Sequence, residues 1–85
     1  MTAAEQPALE RAVLDLLAER DAGKTICPSE AARRVEPDAW REQMEPARDA
    51  ARRLAGAGRI DITQGGEAID PEGPFHGPIR LRLRG

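Results

Sequence analysis

Aromatic side chains are almost missing from this sequence: Trp40 and Phe75 are the whole inventory, and there is no tyrosine. A surface that stacks unpaired bases needs several exposed rings, so an aromatic platform for single strands is excluded. Cysteine is equally scarce. Cys27 stands by itself, which rules out an internal disulfide framework and a multi-cysteine zinc site. No uninterrupted apolar run approaches the eighteen or so residues of a membrane span. Met1–Pro7 also lacks the basic stretch that opens a secretory signal. The expectation is therefore a soluble cytoplasmic chain with no membrane partner. Positive charge is not in excess either: 13 basic and 15 acidic residues leave a formal net charge of −2. A protein that coats nucleic acid by charge alone is excluded.

What is present suffices for one core. The chain has 85 residues, of which 40% are hydrophobic and 33% charged, too apolar for a disordered polymer. A chain this short buries roughly 60–65% of its unfolded surface, enough for one domain and not for two. The expected organisation is a flexible N-terminal segment over 1–7 and a single domain over 8–85. The charges are unevenly spread. Residues 1–45 carry six basic and ten acidic groups, whereas residues 46–85 carry seven and five.

Periodicity then predicts the elements. Over 8–20, Leu9, Ala12, Val13, Leu16 and Leu17 form one helical stripe, and Gly23 follows as a terminator. Thr25-Ile26-Cys27 is short and β-branched, which suits a strand over 25–27. Pro28 fits a first helical position, with Glu30 at N3 and Ala31, Ala32 and Val35 inward. That helix closes at Glu36-Pro37, because a residue before proline avoids the α region. Pro37 opens a further turn, in which Trp40 and Met44 share a side. Pro46 costs least at N1, so the next helix is expected to begin there, burying Ala47, Ala50, Ala51 and Leu54 and stopping at Gly56-Ala57-Gly58. Arg59–Thr63 and Ile79–Arg84 alternate strictly and read as antiparallel strands, Ile79, Leu81 and Leu83 inward, with Asp61 facing an arginine across the ladder. Between them Gln64–Pro78 is a long Gly- and Pro-rich loop, of a kind that is commonly functional or disordered.

Helix, short strand, helix, helix and hairpin is the order of a winged helix-turn-helix: an α+β, mainly helical domain with strands near 25–27, 59–63 and 79–84 and a wing between the last two. Pro28-Ser29-Glu30-Ala31-Ala32 resembles the start of the motif's first helix in winged-helix regulators of the multiple-antibiotic-resistance type. The Leu54-x-x-x-Gly58-x-Ile60 pattern resembles their exit from the recognition helix. More closely, GKTICPSEAAR (23–33), AWREQMEPARDAARRLAGAGRIDITQ (39–64) and GPIRLRLR (77–84) resemble a family of short bacterial proteins of unknown function, over roughly 9–84. That resemblance implies a fold and no established activity. The extra DAWREQM turn between the motif helices departs from the usual three- or four-residue connection.

Two classes of function fit these residues. As a DNA-binding or transcription-associated module, the chain would use Arg48, Arg52 and Arg53 on the helix that enters the major groove, with Arg80 and Arg82 of the last strand on phosphates. As a protein-interaction domain it would use the acidic loop, through Glu67, Asp70 and Phe75. That loop also holds Glu72 and has no lysine or arginine between 64 and 78, so its tip repels phosphate. Asp49 can pair with Arg53 at i, i+4, and Phe75 either folds the loop back or stands exposed.

No catalytic constellation can be assembled, so an enzyme is not expected, and neither a cofactor nor a metal is implied. Gly23-Lys24-Thr25 imitates the end of a phosphate-cradling loop, but Ala18 stands where the first glycine belongs and a helix precedes it. Cys27 reads as a small core residue, His76 as a solvated side chain without a second ligand, and Trp40 and Met44 as core. The oligomeric state cannot be read from the sequence.

Overall fold

A computed structural model describes residues 5–21 and 23–84. Helix α1 (Glu5–Glu19) is followed by β1 (Thr25–Ile26), α2 (Pro28–Val35), a 3₁₀ turn (Trp40–Gln43), α3 (Met44–Gly56), β2 (Ile60–Gln64), β3 (Glu67–Ala68) and β4 (Arg80–Leu83). The strands form one antiparallel sheet in the order β1-β4-β2-β3. The last strand thus returns between the first two, an α+β arrangement compatible with a small winged-helix-like fold.

The core forms where the helical stripe meets the inward face of the sheet. Val13, Leu16 and Leu17 of α1 pack with Ile26, Ile60, Ile62, Ile79 and Leu81 from the sheet side and with Ala51 and Leu54 of α3. Leu9 heads a second cluster with Ala32, Ala47 and Ala50. Alanine at these fully buried positions keeps side-chain bulk off the contact, and interaxial distance depends on that bulk. The apolar gaps that remain are closed by Trp40 and Met44, packed half-buried against this cluster; both core readings of these residues are met in part.

Several boundaries move for local reasons. The first helix starts at Glu5, so residues 5–7 are not the free segment expected over 1–7, and residues 1–4 lie outside the described residues. Helix α3 starts at Met44, which puts Pro46 at N3 rather than N1. The first-turn N–H groups have no intrahelical partner in any case, so proline is tolerated there too. The 3₁₀ turn runs directly into α3, and the Met44 N–H bonds to the Arg41 carbonyl. Cys27 caps α2 rather than ending β1. The Glu30 carboxylate accepts from the Cys27 N–H at 2.8 Å while its other oxygen pairs with Arg20, and Ser29 Oγ donates to Cys27 Sγ at 3.2 Å.

The C-terminus of α3 is set by Gly58, whose φ of +77° lets Arg59 N–H reach the Leu54 carbonyl (2.9 Å) and Gly58 N–H reach that of Ala55 (3.0 Å), a Schellman closure.

The long loop is not featureless. Gly65 and Gly66, both at positive φ, make a two-residue hairpin turn that pairs Gln64 with Glu67 and Thr63 with Ala68. The Ile69 N–H continues the ladder to the Ile62 carbonyl at 2.8 Å. Gln64 Nε2 donates to the carbonyls of His76 (2.6 Å) and Pro78 (3.3 Å), which ties down the returning chain. Leu83 is the exception to the inward stripe of β4. It pairs with Ile60 yet is 47% exposed, at the rim of a shallow groove of about 280 Å³ beside Leu17 and Ala18.

Candidate interaction face

Packing the alanine stripe of α3 inward leaves Glu45, Asp49 and Arg53 exposed and Arg48 and Arg52 half-buried. The five arginines singled out from sequence do not form one free surface. Arg53 Nε donates to Glu10 Oε2 of α1 at 3.1 Å, not to Asp49; the partner comes from a packed helix rather than from the next turn. The Arg52 guanidinium lies over the Phe75 ring, 4.0 Å from its centroid. Its Nε is buried without a hydrogen-bond partner. Phe75 therefore folds the loop back onto α3 and joins the main core from its edge, instead of standing out as a contact.

On the sheet, Arg82 lies directly across from Asp61, to which it donates at 3.2 Å. Arg84 donates to the other Asp61 oxygen from Nη2 at 2.7 Å and Nε at 3.1 Å. These charge-assisted bonds, Arg84's first and Arg82's second, hold the Asp61 carboxyl below the usual carboxylate range. Arg80, although exposed, donates from Nε to Thr25 Oγ1 (3.0 Å) and from Nη2 to the Thr25 carbonyl (3.1 Å), clasping β1 to β4. Only Arg48 of the five makes none of these contacts. A further bidentate pair, Arg34 to Glu19 at 2.9 and 3.0 Å, ties α2 to the end of α1 and lowers the Glu19 pKa while raising that of Arg34.

The acidic residues of the loop make no ion pair among the described residues. Glu67, Asp70 and Glu72 are exposed on the loop, where Asp70 Oδ1 accepts the Glu72 N–H at 2.9 Å and so shapes the tip as an Asx turn. Around the start of α3 the exposed carboxylates Glu42, Glu45 and Asp49 are added. Among the described residues no group of three or more His, Cys, Asp or Glu side chains is placed to hold a metal. No described helix is long and apolar enough to cross a membrane.

One cluster escaped the sequence reading. Arg33 of α2 and Arg41 of the 3₁₀ turn both lie over the Trp40 indole, at 4.3 and 4.7 Å from its centroid. They lie on two different elements, so neither the helical nor the strand period relates them. The 36–39 turn brings them together, and no local pattern announces that.

No curated protein matches the chain. A family profile described as protein of unknown function (DUF3253) matches residues 6–84, nearly the length over which the sequence phrases resemble such a family, and the chain belongs to that family.

Proposed function

We propose that this winged-helix-like domain is a non-catalytic protein-interaction module that does not read duplex DNA. The observation that carries the reading is the commitment of its arginines. Arg53 is spent on Glu10, Arg82 on Asp61, Arg80 on Thr25 and Arg52 on Phe75. Duplex affinity grows with the number of phosphates that basic side chains neutralise, and these side chains hold the fold together instead. The helix that would enter a groove carries Glu45 and Asp49 in its first turns and follows Glu42 of the 3₁₀ turn. The wing adds Glu67, Asp70 and Glu72. A partner protein with a basic surface suits that wing better than a phosphate backbone does.

Fluorescence anisotropy with labelled 20-base-pair duplexes of several sequences at 50 mM salt tests the negative half. No saturable binding is expected. Saturable binding whose affinity falls about one log unit per log of salt for each phosphate contacted overturns the reading in favour of the DNA-binding one, for which the unengaged Arg48 is the supporting observation. Pull-downs comparing the intact protein with E67K/D70K/E72K test the positive half. Partners held by the intact protein should be lost in the variant, which keeps Phe75 and the Gly65-Gly66 turn; an unchanged set refutes a role for the wing.

A further inference from the structure

Among the described residues, the Arg33–Trp40–Arg41 cluster brings together two guanidiniums that make no ion pair. Elsewhere carboxylates take up arginines: Arg20 pairs with Glu30, Arg34 with Glu19, Arg53 with Glu10, and Arg82 and Arg84 with Asp61. Arg33 and Arg41 are exposed and contact the indole, with no carboxylate of the described residues within ion-pair distance. Each guanidinium carries its N–H donors in its own plane, the fork that takes carboxylate oxygens two at a time. The indole also holds both side chains in place before any ligand arrives, which removes part of the ordering cost of binding.

We propose that the Arg33–Trp40–Arg41 stack is a docking site for an acidic segment of a partner protein. This rests on the protein-interaction reading above and adds to it a second surface, of opposite sign to the wing. The ring distances place the two guanidinium carbons within about 9 Å of each other. Carboxylates two residues apart on an extended chain, or four apart on a helix, fall within that reach. A duplex is a poorer fit. Its charge recurs about every 1.7 Å and would run over Glu36, Asp38, Glu42 and Glu45, all exposed and close in sequence to the stack. A peptide can place its few carboxylates and leave the rest of its length neutral.

Trp40 is the sole tryptophan, so its emission reports on this site alone. The intact protein is titrated with a synthetic (Glu-Ser)₄ peptide, and in parallel with (Lys-Ser)₄, inorganic phosphate and a 20-base-pair duplex. A saturable emission change with (Glu-Ser)₄ alone is expected, weakened at least tenfold in R33M/R41M, where the methionines still cover the indole. The R33K/R41K variant keeps the charge and loses the planar fork; it should also weaken, and it stands in if the methionine variant fails to fold. The control R11M/R59M removes two other exposed arginines and should respond as the unaltered protein does. The proposal is overturned by no saturable response to (Glu-Ser)₄, by an unchanged response in both stack variants, by an equal loss in the control, or by tighter binding of phosphate or duplex. Failure with the peptide while duplexes stay unbound sinks this inference alone, whereas duplex binding sinks the interaction reading with it.

Discussion

Removing the Phe75 ring should release the wing from α3, and the structure sets the size of the effect. Full burial of a phenylalanine is worth about 1.5–3 kcal/mol, so a half-buried ring contributes about 1 kcal/mol. Its contact with the partly desolvated Arg52 guanidinium, at 4.0 Å, adds about 1 kcal/mol. F75A should therefore cost about 2 kcal/mol, a fall in Tm of roughly 8–16 °C for a domain of this size. Arg52 behaves differently. R52M loses the cation–π contact but also removes a buried N–H that has no acceptor, whose desolvation costs about 1–3 kcal/mol. The two effects oppose each other, so the net change should stay within about 1 kcal/mol of zero. Thermal unfolding of both single variants and the double variant closes the cycle, with an expected coupling of about 1 kcal/mol. Amide exchange adds the local readout. The Ile69 N–H, bonded to the Ile62 carbonyl, should lose protection in F75A while the amide of Leu81 in the central strand keeps most of its own. A fall in Tm under about 3 °C with Ile69 protection unchanged would refute the reasoning, because the wing would then be held by its backbone ladder alone.

Two further outcomes follow from the same geometry. G58A places a Cβ on a residue at φ +77° and should cost about 1–2 kcal/mol, seen as a lower Tm with the helical circular dichroism retained; an unchanged Tm would mean that the Schellman closure contributes nothing. D61N removes the shared acceptor of Arg82 and Arg84. Because the Asp61 pKa is lowered in the folded protein, its contribution is present in full above the unfolded carboxylate value of about 3.9 and is lost as pH falls through the lower folded value. The Tm gap between the unaltered protein and D61N should thus be constant from about pH 5 to 7 and close under stronger acid, and a gap that widens toward low pH contradicts the assignment.

The parts legible in sequence were those governed by local chemistry. The i, i+3, i+4 stripe of α1, the Pro28 start with Glu30 at N3 and the alternation of the strands depend on neighbours a fixed number of residues away, and pairing the two alternating strands puts Asp61 opposite an arginine. Helix α3 begins two residues before Pro46, because proline's local cost is nearly equal anywhere in a first turn and the adjoining 3₁₀ turn sets the start. Leu83 keeps its inward register but is exposed, because alternation sets the direction of a side chain and not whether anything covers it. The Gly65-Gly66 dipeptide carries a hairpin signal inside a segment whose composition as a whole reads as loop. Of the candidate arginines, only Arg82 has a partner that strand alternation announces, Asp61. Arg53 meets Glu10 across 43 positions and Arg80 meets Thr25 across 55.

By itself, then, the sequence determined a small α+β domain, its helices and main strands, the acidic wing, and the classes of chemistry excluded by scarce cysteine, scarce aromatics and balanced charge. Those follow from composition and from periodicities of two and 3.6, which are properties of the chain alone. Tertiary structure decided which charges remain available. Packing α1 on α3 consumes Arg53, pairing β4 with β2 and β1 consumes Arg82 and Arg80, folding the wing back consumes Arg52, and the turn after α2 sets Arg33 and Arg41 on one indole. A charge acts according to the groups within a few ångströms of it, and for most arginines here those groups lie on distant segments of the chain.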